Sequence, residues 1–167
     1  MSDATAPGSD PRPTVYVETS VISYLAADLS GEVVTRAHQK STREWWSRTS
    51  RWELVVSAGV MREALRGNHA TAIKRLELLI GVNVLPIDPK ARQLSDELLR
   101  RGVFPPKAKP DAEHVAVAAV NGIDFLVTWN LKHIANAIIR RRAEGICRSC
   151  GYEPPVICTP DELLEEI

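Results

Sequence analysis

The chain has 167 residues, 44% hydrophobic and 25% charged, which suits one folded domain with a real core. Lys+Arg and Asp+Glu both number 21, so a chain-wide basic field is excluded and any attraction for nucleic acid must be local. No apolar run reaches membrane-span length, and MSDATAPGSDPRPT lacks a signal-peptide core; a disordered lead-in over residues 1–13, one domain over 14–167 and a cytoplasmic location are expected.

Taken in chain order, Thr14 to Val17 reads as a first strand and Ser20 onward as a helix. A second helix spans Val33 to Arg48 and carries Trp45 and Trp46; at adjacent positions the two cannot face the same way, so one is core and the other a partner surface. LVVS (54–57) is the second strand, followed by a short helix from Val60 to Arg66 and an amphipathic one from Thr71 to Ile80. NVLPI (83–87) is a third strand whose proline points to a sheet edge. Ala91 to Arg101 is helical, with Gly102 as its stop, and PPKAKP is a loop. Asp111 to Asn121 is an Ala/Val-rich helix buried on most faces. FLVT (125–128), a helix from Leu131 to about Cys147, PVIC (155–158) and a last turn from Pro160 to Ile167 complete the chain.

Short apolar strands alternating with helices specify a parallel sheet covered on both faces, an α/β fold in three layers. Neither G-x-G-x-x-G nor the phosphate-loop pattern occurs, which removes the main support for nucleotide cofactors. Cys147, Cys150 and Cys158 could offer three thiolates to zinc. However, no second C-x-x-C follows and no histidine stands at ligand spacing, so they read as reduced thiols.

In such a sheet, the helix after each strand begins at the carboxyl edge, where ligands bind. Glu18 ends strand one, and Glu63 lies in the helix after strand two. Asp111 opens the helix that leads to strand four, and Asn130 follows that strand. Asp124 starts strand four and belongs to the opposite edge. Singly, each residue has an ordinary reading: a helix-dipole acid, an exposed helix acid, an N-cap and a turn residue. Together they would repel one another unless a cation neutralised them, and their oxygen donors suit Mg²⁺ or Mn²⁺. Such a cation can activate water for in-line phosphoryl displacement.

These residues lie in ETSVISYL, VSAGVMREALRG and KPDAEHVAVAAVNGIDFLVTWNLKHIANA, which resemble the motifs of PIN-domain proteins, and more closely those of the VapC-like toxin branch of toxin–antitoxin pairs. The resemblance covers about residues 14–159 and implies a five-stranded parallel sheet between helices. It implies a Mg²⁺- or Mn²⁺-dependent endoribonuclease, an antitoxin partner and a homodimer. By position, Glu18, Glu63 and Asp111 match the metal-holding acids, Asn130 the fourth catalytic position, and Thr19 the hydroxyl that steadies the first acid. Two departures stand out. Glu18 replaces the usual Asp, moving the carboxylate outward, and Asn130 is neutral where a charge is common, which makes a second metal harder to hold.

His114, three residues after Asp111, shares its helix face and reads either as a phosphate contact or as a satisfied buried group. Glu113 faces elsewhere. Lys107, Lys109, Lys132, Arg140 and Arg141 could form a rim for RNA phosphates, or an ordinary solvated face; His133 follows Lys132 in the first turn of the last long helix. Two rival functions remain: a PIN scaffold that binds RNA or a protein without cleaving, and a phosphatase or receiver-like domain. The second needs an Asp nucleophile after strand one, where Glu18 stands.

Overall fold

The structure, a computed structural model, describes residues 11–164. The strands are β1 (Thr14–Val17), β2 (Glu53–Ser57), β3 (Asn83–Leu85), β4 (Phe125–Val127) and β5 (Val156–Cys158). They form one sheet in the order β3-β2-β1-β4-β5, with every pairing parallel. The helices are α1 (Thr19–Ala26), α2 (Val33–Trp46), α3 (Ala58–Ala64), α4 (His69–Leu78), α5 (Pro89–Arg100), α6 (Lys109–Val120) and α7 (Ala137–Ser149). Parallel pairing buries the central strands on both faces: Val15, Tyr16, Val56, Leu126 and Val127 have no exposed surface. The expected lead-in falls mainly on residues 1–10, and the end of the expected last turn on 165–167; both lie outside the described residues.

Local chemistry sets the boundaries. Ser57, Asn68, Asp88 and Asn136 cap α3, α4, α5 and α7 by accepting backbone N–H groups. Gly102 follows α5 at φ +66°, a left-handed conformation that stops the helix where the sequence predicts. β3 is an edge strand, as its proline implies, and it ends at Leu85, just before Pro86. Of the tryptophan pair, Trp45 is wholly buried and Trp46 packs half-buried against the core.

Two boundaries differ from expectation in ways that matter for function. The PPKAKP stretch is not all loop: a 3₁₀ turn over Pro106–Ala108 runs directly into α6, which places Asp111 in that helix's first turn. The last long helix begins at Ala137, not Leu131. Asn136 caps it, and Asn130 Oδ1 accepts from the His133 N–H at 3.0 Å, folding residues 131–136 into a turn-rich loop. Lys132 and His133 therefore sit on a loop at the carboxyl edge rather than in a first helical turn.

Candidate metal centre

β1 lies between β2 and β4, and the chain winds outward from β1 in one direction before crossing to β4 on the other side. That reversal opens a crevice at the carboxyl edge between β1 and β4. Glu18 stands at this point. Its backbone N–H still bonds to Val127 O of β4 at 3.1 Å, while its side chain caps α1. The residue as a whole is only 5% exposed. Its Oε2 accepts from the Ser20 N–H at 3.1 Å, the Ser20 hydroxyl at 2.5 Å and the Thr128 hydroxyl at 2.7 Å. Three donors on one oxygen satisfy a buried anion that would otherwise be costly.

Glu63 approaches from α3. Its Oε2 accepts from the Thr19 hydroxyl and from His114 Nε2, the latter at 3.1 Å. Burial works against its charge, but the His114 bond and charge and the Thr19 bond outweigh it and hold the carboxyl below its ordinary value. This corrects the expected role of Thr19, which steadies the second acid. Glu18 is itself the helix cap and takes its donors from Ser20 and Thr128; Thr19, one position earlier, reaches α3 instead.

His114 is buried on α6. Its Nδ1 lies 2.7 Å from the Tyr16 hydroxyl, which lies 2.6 Å from Ser57 Oγ. Burial lowers the imidazole's basicity, but the bond to Glu63 and the charges of Glu18, Glu63 and Asp111 outweigh this and raise its pKa. Burial likewise pushes the Tyr16 phenol upward. One ligand atom each from Glu18, Glu63 and His114 fall within 4.8 Å of one another.

Asp111 and Asn130 occupy the same edge with other partners. Asp111 Oδ2 lies 2.8 Å from His133 Nδ1. Asn130 Oδ1 accepts from the His133 N–H, so the oxygen expected to assist a cation also supports the loop, with one lone pair left over. Each acid uses one oxygen within the protein. The other, Glu18 Oε1, Glu63 Oε1 or Asp111 Oδ1, accepts no hydrogen bond from the described residues. Asp124 sits at the amino edge, where its Oδ2 accepts from the Thr14 backbone and hydroxyl, both at 2.8 Å.

Among the rim cations, Lys107, Lys109, Lys132 and Arg141 are exposed. Arg140 is committed inside the protein, donating to Ile157 O of edge strand β5 at 2.9 Å. Glu113 pairs with Arg62 across α6 and α3 at 2.9 Å. Cys147 and Cys158 are buried, and burial pushes both thiols up to about 12, while Cys150 is exposed. The supporting residues absent from the sequence reading are Ser20, Thr128, Tyr16, Ser57 and His133 as the partner of Asp111. T-S after Glu18 and the Thr preceding Trp129 were the only signals for the first two.

No family model matches the sequence, and no curated protein does. Solved structures do match. VapC20 of Mycobacterium tuberculosis, described as a sarcin–ricin loop cleaving toxin, aligns with a TM-score of 0.57 at 17% identity over 85% of this chain and 100% of its own. VapBC2 of Rickettsia felis, solved bound to a DNA fragment from its promoter, aligns with a TM-score of 0.56 at 13% identity over 87% of this chain and 98% of its own. The five-stranded parallel sheet and its flanking helices are thus the PIN fold found in VapC toxins.

Proposed function

We propose that residues 14–167 form one PIN-type domain that acts as a Mg²⁺- or Mn²⁺-dependent endoribonuclease. In this reading it is the toxin of a toxin–antitoxin pair, working as a cytoplasmic homodimer and neutralised by an antitoxin protein. The observation that carries the reading is the arrangement of Glu18, Glu63 and Asp111 at the switch point. Each acid is anchored through one oxygen and leaves the other without a donor among the described residues. Oxygen donors of this kind fit a hard divalent cation. When bound, the cation would supply charge neutralisation and Lewis acidity for hydrolysis of a phosphodiester.

The chain's own residues do the rest. Ser20 and Thr128 fix the Glu18 rotamer; Thr19 and His114 fix Glu63; His133 orients Asp111. Lys107, Lys109 and Lys132 stand exposed on the segments flanking Asp111 and Asn130, where phosphate groups would be drawn to them. Arg141 is exposed near the start of α7 and is a further candidate for a phosphate contact. A structural neighbour described as cleaving the sarcin–ricin loop supports RNA as the substrate class, and one solved as a VapBC complex supports an antitoxin.

A second reading, a PIN scaffold that binds RNA or protein without cleaving, draws on Asn130, which is neutral and already engaged. One experiment separates the two: incubation of structured RNA with the wild type, Glu18→Ala and Asp111→Ala, with Mn²⁺ or with chelator. The nuclease reading expects Mn²⁺-dependent cleavage by the wild type and a loss of at least about a hundredfold in both variants, equivalent to a few kcal/mol of barrier. RNA retained by the wild type without cleavage supports the scaffold, and undiminished cleavage in both variants contradicts the site.

A further inference from the structure

The hydrogen bonds behind the acids run in one direction, and that direction decides what His114 can do. Ser57 Oγ, at the N-cap of α3, accepts the Gly59 N–H at 3.1 Å and the Val60 N–H at 3.3 Å. A serine hydroxyl has two acceptor sites and one hydrogen. With both sites occupied, its hydrogen is directed to the Tyr16 oxygen, 2.6 Å away. The Tyr16 hydrogen then goes to His114 Nδ1 at 2.7 Å. Nδ1 is an acceptor, so the proton of the neutral ring sits on Nε2. That nitrogen is 3.1 Å from Glu63 Oε2 and 4.0 Å from Glu18 Oε1, both on carboxylates that only accept when ionised. Tyr16, Ser57 and His114 are at most 2% exposed, so their partners must come from within the fold.

The charged ring leads to the same assignment. It reverses the two hydroxyls, at the expense of the longer Val60 contact and of an acceptor for the Ser57 hydrogen, and Nε2 keeps its proton. A ring coordinating a cation through Nε2 would need that reversal and would also forfeit the bond to Glu63. Proximity alone groups His114 with Glu18 and Glu63 as a possible ligand set. The hydrogen-bond order separates it from them.

We propose that His114 is a positioning residue: an Nε2–H donor, oriented by the Ser57–Tyr16 relay, that locks Glu63 and does not itself ligate the cation. This rests on the metal-site reading above. It leaves the cation to carboxylate oxygens and so favours Mg²⁺ or Mn²⁺ over the metals that prefer imidazole.

The test has two independent readouts. The first is the ¹⁵N spectrum of the histidine rings in metal-free protein at a pH where His114 is neutral, with His114→Gln identifying the resonances. The Nε2-protonated tautomer is expected; the Nδ1-protonated tautomer overturns the proposal. The second is Mn²⁺ affinity, followed by electron paramagnetic resonance, in wild type, His114→Gln and His114→Leu. Gln keeps an N–H near the Nε2 position, so it should remain within about threefold of wild type, whereas Leu should weaken binding about 10–100-fold, as loss of an outer hydrogen-bond partner does. Gln binding as poorly as Leu, or an imidazole-nitrogen coupling in the wild-type Mn²⁺ spectrum, overturns the proposal. A folded wild type that takes up no Mn²⁺ counts against the metal-site reading instead, and the ring spectrum alone then decides the donor assignment.

Discussion

Glu63 and His114 form a buried pair whose charges depend on each other, and the pair should leave a mark on stability. Glu63 is held below its ordinary value of 4.5, so its contribution is present above that pH and is lost as pH falls through the folded value. His114 is raised above its ordinary 6.5, so its contribution is present below that pH and is lost as pH rises through the folded value. Both act together between 4.5 and 6.5. In the metal-free protein, the stability advantage of wild type over His114→Gln should therefore be largest in that window and shrink toward pH 9, as urea midpoints would read. An advantage that stays constant with pH would contradict the pairing. The sequence places both residues near the site by topology. The pairing itself is not legible there, because it depends on a His114 ring held by Tyr16 of β1 and, behind it, Ser57 of β2.

At the scale of elements, α3 is a short helix with a large task. Ser57 ends β2, caps α3 and begins the relay to His114, while Glu63 sits one residue before the end of the same helix. Ser57→Ala should remove the cap and leave the Tyr16 hydroxyl short of a buried partner, costing about 1–3 kcal/mol of unfolding free energy. Mn²⁺ affinity should fall with it, as calorimetry would show; a stability loss with unaltered affinity would separate the cap from the site. Most elements are visible in the sequence because apolar periodicity and caps agree: NVLPI announces an edge strand, and Gly102 a helix end. The 131–136 loop was not visible. Leu131, Ile134 and Ala135 keep a helical spacing, but the Asn130 side chain competes for the His133 N–H and Asn136 offers a better cap. That substitution of loop for helix is what lets His133 turn toward Asp111.

For the whole molecule, one parallel sheet with a reversal between β1 and β4 gathers residues distant in sequence onto a single edge. The amino edge receives Asp124, whose bonds to Thr14 tie the starts of β1 and β4 together, and the carboxyl edge receives the acids. This division follows from strand direction, which is why Glu18, Glu63 and Asp111 are legible in the sequence as candidates for one edge. Their hydroxyl partners are not: Thr19 adjoins Glu18 in the chain yet bonds to Glu63, and Thr128 bonds to Glu18 from 110 residues away. Among the described residues no helix is long and apolar enough to cross a membrane. The central claim is that this edge holds a divalent cation. Its most direct test is calorimetric titration of Mn²⁺ into the wild type and into Glu18→Gln, near neutral pH and at low salt. The variant keeps an oxygen for Ser20 and Thr128 but lacks the carboxylate charge. Saturable uptake by the wild type, weakened at least about tenfold in the variant, equivalent to about 1.4 kcal/mol, is the predicted result. Equal uptake by both, or none by a folded wild type, would contradict it.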